Sequence, residues 1–346
     1  MTQASGDQGS LCALYVDMGT TNTRVWLMNS DRTVASVSDT IGIRDAARDG
    51  GLGIRSGLGK LIGKARRAAE PCDPPEYIVA AGMIGSNLGL AEVPHLQPPT
   101  GIGELIAAAQ WHHFPDVCDL PFLLVPGVRS GPANVGVTSI HQTDVMRGEE
   151  TLCAGLVTLR IVVPPAVVLN LGSHWKAIQL DGDGRIQSSV TSLSGELFHA
   201  VQAHTVLAGS VPRERPQNLS PEWIEAGMAE QRRAGLARAL FCTRLLDLAR
   251  QGSPEDRLAF IVGAFIAPDL DGLLARGIIA PHMRVALVGH SAVSQAWQTA
   301  LSRMQITATM ISREQAETAL LHAMQRILVG ALPSLESALQ RARANE

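Results

Sequence analysis

Asp17 and the hydroxyl-rich segment that it begins could bind a phosphorylated ligand together with a metal ion. Residues 17–23 read DMGTTNT and lie between two runs of mostly apolar residues. A glycine lets backbone N–H groups approach an anion closely, and threonine hydroxyls can donate hydrogen bonds to phosphate oxygens. The candidate phosphate ligands are Gly19, Thr20 and Thr21, and the hydroxyl of Thr23 can also donate.

The carboxylate of Asp17 could bind Mg²⁺ through water molecules, because this ion gives up its hydration shell reluctantly. An ordinary hairpin turn, in which the polar side chains satisfy local backbone groups, is the alternative. The flanking runs, residues 11–16 and 24–28, are mostly apolar, β-branched or aromatic. They predict two strands joined by this polar loop, with Asp17 at the end of a buried strand.

Residues 167–180 repeat the same pattern of strand, polar loop and strand. Mostly apolar runs at 167–171 and 175–180 flank the short loop formed by Gly172, Ser173 and His174. Each of the two hairpins lies near the start of one half of the chain. Together they predict two related lobes that each provide a phosphate-binding loop.

Two further segments of the first half follow predicted strands. A strand at 77–81 runs into a glycine-containing loop at 82–87, which is where α/β proteins often place ligands. A structural turn that needs two glycines would explain the same pattern. Arg129 lies just beyond a strand predicted at 122–125, and it could bind a substrate carboxylate or be a surface residue.

Asp144 begins a segment that predicts a helix. Residues 144–151 read DVMRGEET, and helical spacing would place Met146, Glu150 and Cys153 on one face. The carboxylate of Asp144 would then lie near the helix N-terminus, where it is stabilised by the helix dipole. A plain helix cap is the alternative role for this side chain.

Four segments, taken in order, resemble the 2-dehydro-3-deoxygalactonokinase family: residues 17–23, 81–86, 144–151 and 171–176. The resemblance covers nearly the whole chain and is most specific at DVMRGEET. It implies an α/β fold with two ribonuclease H-like lobes, as in sugar kinases, Hsp70 and actin, with ATP in the cleft between them. It also implies transfer of the γ-phosphoryl group of ATP to the 6-hydroxyl of 2-dehydro-3-deoxy-D-galactonate.

The resemblance assigns roles to residues of the first lobe. Asp144 would accept the proton of the reacting hydroxyl as the catalytic base. Asp17 would hold the hydrated Mg²⁺ ion, and Glu149 is a weaker candidate for the same ion. The residues implied to bind the sugar acid are Met83, Ile84, Gly85, Ser86, Asn87 and Arg129.

The second lobe would complete the nucleotide site, with Gly172 and Ser173 at the phosphates and Gly289 beside the adenosine. The chain departs from the family at residues 87–90, which read NLGL where the family tends to have Arg-Gln-Gly-Trp. An arginine is a natural partner for a carboxylate. The alternatives are a kinase for another sugar or sugar acid, or a non-catalytic, actin-like ATP-binding module. The presence of Asp144 disfavours the non-catalytic module, because pure binding needs no base.

Length, charge and cysteine content set broad limits. The 346 residues allow two domains, expected as lobes at 11–163 and 164–346 after a loose tail at 1–10. A net charge of −3 argues against a nucleic-acid partner, and no apolar run reaches the roughly 18 residues of a membrane span. Five cysteines without a C-x-x-C pair suggest free thiols in the cytoplasm, and the sequence leaves open whether the chain forms a homo-oligomer.

Overall fold

The structure is a computed structural model that describes residues 11–42, 52–69, 73–214 and 217–335. The chain divides into two compact units, which are unit 1 (Met1–Leu159 and Thr318–Glu346) and unit 2 (Arg160–Glu317). The expected lobes differ from these units in two respects. The boundary lies a few residues earlier than 163, and the end of the chain returns to unit 1. The expected loose tail at 1–10 lies outside the described residues.

Unit 1 is built on a six-stranded sheet with the strand order β3-β2-β1-β4-β6-β5. Its strands are β1 (Cys12–Met18), β2 (Thr23–Asn29), β3 (Arg32–Asp39), β4 (Tyr77–Gly82), β5 (Gln110–Phe114) and β6 (Cys118–Leu124). The first three strands are antiparallel, β4 is parallel to β1 and β6, and β5 is antiparallel to β6. A separate antiparallel ribbon consists of β7 (Val128–Ser130) and β8 (Asp144–Met146).

Unit 2 is built on a five-stranded sheet with the strand order β11-β10-β9-β12-β13. Its strands are β9 (Ala166–Leu171), β10 (Trp175–Leu180), β11 (Ile186–Ser192), β12 (Arg284–Gly289) and β13 (Thr307–Ile311). Three antiparallel strands are followed by two parallel ones, as at the start of unit 1. The prediction of two ribonuclease H-like α/β lobes is therefore confirmed.

Helices cover the faces of both sheets. The helices of unit 1 are α1 (Leu52–Ala68), α2 (Ile102–Ala108) and α3 (Glu149–Thr158). The helices of unit 2 are α4 (Ser194–His204), α5 (Pro221–Ala234), α6 (Leu236–Leu248), α7 (Pro254–Ala275) and α8 (Ser291–Ser302). Helix α9 (Arg313–Ala331) begins in unit 2 and continues into unit 1.

Strand β1 is buried on both faces, which explains its continuous apolar sequence. Leu14, Val16 and Met18 face one hydrophobic cluster, whereas Ala13 and Tyr15 face another on the opposite side. The residues of α9 that join this second cluster include Leu320, Met324 and Ile327. Their burial is the physical reason why the end of the chain belongs to unit 1.

Helix α7 is long and apolar enough, by length and composition alone, to cross a membrane. It is the one such helix among the described residues, whereas the sequence was expected to contain no apolar run of that length. Most of the helix is buried within unit 2, where residues such as Phe265 and Ile266 join the hydrophobic cluster. Its N-terminus has a capping box formed by Ser253 and Asp256. These features are typical of the core helix of a globular domain.

Candidate active site

The loop between β1 and β2 is a tight turn whose polar groups are partly exposed. The N–H of Gly19 donates to the carbonyl oxygen of Asn22 at 2.8 Å, and Thr20 and Thr21 are partly exposed. Thr23 differs from expectation, because it is buried and its hydroxyl donates to a backbone carbonyl oxygen at 2.6 Å. The Thr23 hydroxyl and the Gly19 N–H are therefore both used within the fold. Thr20 and Thr21 remain the candidate donors to phosphate, and Gly19 can contribute only a close approach of the backbone.

Asp17 lies near the C-terminal end of β1 and forms an ion pair with Arg24. The two residues are directly opposite each other in the β1–β2 ladder, and Arg24 Nη2 is 2.8 Å from Asp17 Oδ2. The Asp17 side chain is 19% exposed, so a ligand can still reach it. Burial raises the pKa of this carboxyl, and the charge of Arg24 opposes the increase.

Two glycines from distant parts of the chain surround the other carboxylate oxygen of Asp17. A Cβ atom at Gly82 would lie 3.4 Å from Asp17 Oδ1, and one at Gly148 would lie 3.9 Å from it. A Cβ atom at Gly148 would also lie 3.4 Å from the Cα atom of Gly82. Three of the segments that suggested a kinase therefore meet at one carboxylate. The individual positions of Gly82 and Gly148 were not predicted.

Gly82 has a backbone conformation that other residues avoid, with φ 85° and ψ −151°. A Cβ atom there would lie 2.4 Å from the carbonyl oxygen of Met18. We expect Gly82→Ala to lower the free energy of unfolding by about 1–3 kcal/mol, as measured by denaturant titration. The matched control is Gly103→Ala in α2, where a Cβ atom would meet no atom within 4 Å. Equal stability of the two variants would contradict the close approach at Gly82.

Asp144 is not at a helix N-terminus, and this part of the prediction was wrong. Asp144 begins the short strand β8, where it pairs with Ser130 of β7 and is half-buried. Helix α3 begins only at Glu149, because Gly148, with φ 106°, ends the extended segment and turns the chain. The role of a plain helix cap is therefore excluded, and Met146 belongs to the strand.

Glu150 fixes the turn that leads into α3. Both of its carboxylate oxygens accept the N–H of Gly148 at 2.8 Å, and one also accepts the hydroxyl of Thr151 at 3.1 Å. Its side chain is buried, and burial together with the charge of Glu149 raises its pKa to about 7. Glu149 is itself half-buried at the start of α3. Glu149, the second candidate for metal binding, is thus adjacent in sequence to Glu150, whose buried carboxylate accepts the N–H of Gly148.

The loop predicted to bind the sugar acid offers fewer side chains than expected. Met83–Gly85 forms a single 3₁₀ turn, and the side chain of Ile84 lies in the hydrophobic core. Ser86 is buried and its hydroxyl donates to the carbonyl oxygen of Met83 at 2.7 Å. Met83 is partly exposed and Asn87 is exposed, so these two side chains remain available to a ligand. The carbonyl oxygens of residues 83–86 accept backbone hydrogen bonds within the fold, and Gly85 is buried.

Two residues that sequence analysis did not single out lie near Arg129. Arg129 is half-buried in β7, and its Nη2 atom donates to the carbonyl oxygen of Ala133 at 3.0 Å. Arg147 follows β8, and its Nη2 atom lies 3.4 Å from Nδ1 of His95. The occurrence of Arg147 within DVMRGEET was the only signal for it, and nothing in the sequence indicated His95.

In unit 2, the predicted nucleotide ligands lie at the ends of the neighbouring strands β9 and β12. Gly172 and Ser173 are exposed in the β9–β10 loop. A Cβ atom at Gly195, in the first turn of α4, would lie 2.2 Å from the carbonyl oxygen of Gly172. Gly289 ends β12 opposite Leu171, and a Cβ atom there would lie 2.8 Å from that of Leu171. The second loop is thus bordered by a helix N-terminus and by Gly289.

The residues present fit a hydrated Mg²⁺ ion better than a protein-coordinated metal. The described residues contain no group of three or more His, Cys, Asp or Glu side chains that could hold a metal ion. Mg²⁺ is usually bound through one or two carboxylates together with waters and substrate phosphates. Asp17 Oδ1, the carboxylate oxygen that is not paired with Arg24, lies beside two glycines, which have no side chain to cover it.

Comparisons with known proteins identify the family. A model of the 2-keto-3-deoxy-galactonokinase family matches residues 17–324. A probable 2-dehydro-3-deoxygalactonokinase of Rhizobium meliloti (strain 1021) is 27% identical over 316 residues, covering 90% of this chain and 96% of the relative. The 2-dehydro-3-deoxygalactonokinase of Escherichia coli (strain K12) is 25% identical over 307 residues, covering 88% and 94%.

Solved structures share the fold. A crystal structure from Sinorhizobium meliloti, of a protein given the same enzyme name, has a TM-score of 0.71 and 24% identity, covering 91% of this chain and 96% of its own. The activator of 2-hydroxyisocaproyl-CoA dehydratase from Clostridium difficile, with bound ADPNP, has a TM-score of 0.52 and 13% identity, covering 94% and 98%. Because the family model matches most of the chain, this protein belongs to the 2-keto-3-deoxy-galactonokinase family.

Proposed function

We propose that the protein transfers the γ-phosphoryl group of ATP to the 6-hydroxyl of 2-dehydro-3-deoxy-D-galactonate. The observation that carries this proposal is the meeting of three family segments at the Asp17 carboxylate, where Gly82 and Gly148 surround Oδ1. Relatives that carry this enzyme name align over about nine tenths of the chain. Phosphoryl transfer depends on positioning and on charge neutralisation more than on covalent chemistry, and this arrangement suits both.

The proposed nucleotide ligands come from both units. In unit 1, Thr20 and Thr21 bind phosphate oxygens through backbone N–H groups and hydroxyls. Gly19, whose own N–H closes the turn, lets the phosphate approach the loop closely. In unit 2, Gly172 and Ser173 are the second phosphate loop, and Gly289 borders the adenosine. Bound Mg²⁺ would neutralise charge on the phosphates, and Asp17 would hold its water shell, with Glu149 as the second candidate.

The proposed acceptor site lies in unit 1. Asp144 accepts the proton of the 6-hydroxyl, which orients the oxygen towards the γ-phosphorus. Met83 and Asn87 contact the sugar acid, and Arg129 contributes positive charge. Ile84 and Ser86 hold this loop in shape, because one is a core residue and the hydroxyl of the other is used internally.

Release of ADP in a coupled assay, measured with a panel of sugars and sugar acids, tests this proposal. We expect 2-dehydro-3-deoxy-D-galactonate to give the highest kcat/KM and other 2-keto-3-deoxy acids to exceed neutral hexoses. Faster turnover of glucose, galactose or fructose than of any such acid would contradict the assignment. Strong heat stabilisation by MgATP without sugar-dependent ADP release would instead indicate a non-catalytic ATP-binding module.

A kinase for a different sugar acid is the second candidate, and one observation favours it. Residues 87–90 read NLGL, so the loop lacks the arginine that is a natural carboxylate partner. Asn87 is exposed at this position and carries no charge. The same assay separates the two candidates, because it would then show a higher kcat/KM for another acid.

A cytoplasmic location is proposed from the free cysteines, among them Cys12, Cys118 and Cys153.

A further inference from the structure

Arg147 contacts the imidazole of His95, and Arg129 lies within electrostatic range of the same ring. Neither arginine forms an ion pair with a carboxylate among the described residues. Arg147 Nη2 lies 3.4 Å from His95 Nδ1, and the positive charge of Arg129 also acts on this imidazole. The hydrogen bonds of the two guanidinium groups to the backbone go to the carbonyl oxygens of Val93, at 2.8 Å, and Ala133, at 3.0 Å. The cluster of Arg129, Arg147 and His95 therefore carries positive charge without a carboxylate in direct contact among the described residues.

Arg147 is partly removed from water. Its Nη1 atom is buried and has no hydrogen-bond acceptor within the part of the chain that the structure describes. Burial lowers the pKa of this guanidinium, and the more distant charges of Glu150 and Glu92 oppose the decrease. A buried donor without an acceptor is unfavourable, so an anionic ligand that supplied one would be bound more tightly than water.

The backbone around this cluster is arranged to make room for it. A Cβ atom at Gly127 would lie 2.6 Å from Arg147 Cγ and 2.9 Å from His95 Cδ2. A Cβ atom at Gly85, in the predicted sugar-acid loop, would lie 3.3 Å from Arg147 Nη1. Leu96 pairs with the backbone on both sides of Val128, which fixes the preceding His95 beside β7. The cluster thus adjoins the loop that is predicted to contact the substrate.

His95 is suited to donate a hydrogen bond to an anion. Burial lowers its pKa, as do the charges of Arg147 and Arg129, whereas Glu92 acts in the opposite direction. The ring is therefore neutral at pH 7. Because a guanidinium can only donate, Nδ1 is the acceptor that faces Arg147, and the ring proton is on Nε2.

We propose that Arg147 and Arg129, together with His95, bind the carboxylate of the sugar acid and replace the arginine that the loop lacks at Asn87. This inference rests on the proposed function. The planar fork of a guanidinium matches the two oxygens of a carboxylate. Arg147 directly follows β8, the short strand that Asp144 begins, so both residues belong to one segment of unit 1.

The test compares the acid with its neutral methyl ester in steady-state kinetics. We expect Arg147→Met to raise KM for the acid about 10- to 100-fold, because it removes charge-assisted hydrogen bonds. KM for the ester and for ATP should stay nearly unchanged. Arg147→Lys should give an intermediate result, because lysine keeps the charge but loses the fork. The matched control is Arg32→Met, at an exposed position of β3 in the same unit.

Melting temperatures show whether each variant is folded, since Arg147 also holds the carbonyl oxygen of Val93. If Arg147→Met does not fold, Arg129→Met and Arg147→Lys carry the test, and both should reduce the preference for acid over ester. An equal loss for acid and ester in the folded variants would overturn the carboxylate site while leaving the kinase function intact. A wild-type enzyme that neither phosphorylates a sugar acid nor is stabilised by one would overturn both.

Discussion

Replacement of Asp144 by asparagine should lower kcat by about 10²- to 10⁴-fold, the range typical of a general base. Asparagine keeps the size of the side chain but cannot accept the proton of the 6-hydroxyl. The position of residue 144 is set by backbone pairing with Ser130 in the β7–β8 ribbon. That pairing does not depend on the carboxylate, so the melting temperature and KM for ATP should change little.

The measurement is single-turnover or steady-state kinetics at saturating ATP and sugar acid. Asp183→Asn serves as the control, because Asp183 is exposed in the turn between β10 and β11 and has no proposed role. Asp144→Asn with more than about a tenth of the wild-type kcat would show that another group accepts the proton. A large fall in melting temperature would instead indicate a structural role for this carboxylate.

Replacement of Asp17 by asparagine should raise the Mg²⁺ concentration for half-maximal rate by about 10- to 100-fold, as expected for a residue that holds a metal through its water shell. The amide has no negative charge to attract the ion. The measurement is the initial rate as a function of free Mg²⁺ at saturating ATP. Asp39→Asn is the matched control, because this aspartate, in β3 of the same sheet, also forms an ion pair, with Lys64 of α1 at 3.6 Å.

The ion pair with Arg24 offers a competing explanation for Asp17. If the carboxylate served only to pair with this arginine, Arg24→Met and Asp17→Asn would lose equal activity and equal stability. We expect the two variants to differ, because only Asp17→Asn should change the Mg²⁺ dependence. An unchanged Mg²⁺ dependence in Asp17→Asn would assign the aspartate to the ion pair and remove it from the metal site.

The two hairpins that begin each unit could be predicted because their signals are local. Apolar runs flank a short polar loop in both cases, and β1 with β2 and β9 with β10 follow those runs closely. The repeated hairpin was enough to predict two related lobes. The return of α9 to unit 1 could not be predicted, because it depends on packing against β1 and β2, nearly 300 residues earlier in the chain.

The segment around Asp144 shows why local patterns fail. Residues 144–153 have helical spacing of apolar side chains, yet the first three form β8 because they pair with β7. In that pairing, Val145 lies opposite Arg129, which is more than a dozen positions earlier in the chain. A local sequence pattern cannot indicate such a partner. Gly148 then separates strand from helix through a positive φ that sequence analysis did not assign to it.

The composition of the site depended on contacts between distant segments. Gly82 and Gly148 are 66 residues apart, and their approach to Asp17 follows only from the parallel pairing of β1 with β4 and from the path of the chain after β8. His95 and Arg147 are separated by 52 residues. The motifs therefore indicated which segments matter, whereas the individual atoms that face each other required the fold.

Identification of the reaction product tests the central proposal most directly. Wild-type enzyme, MgATP and 2-dehydro-3-deoxy-D-galactonate would be incubated together, and the products analysed by mass spectrometry and phosphorus NMR. We predict one phosphoryl group on the 6-oxygen of the sugar acid for each ADP formed. Formation of ADP with inorganic phosphate and unmodified sugar acid, or phosphorylation at a different hydroxyl, would contradict the proposed reaction.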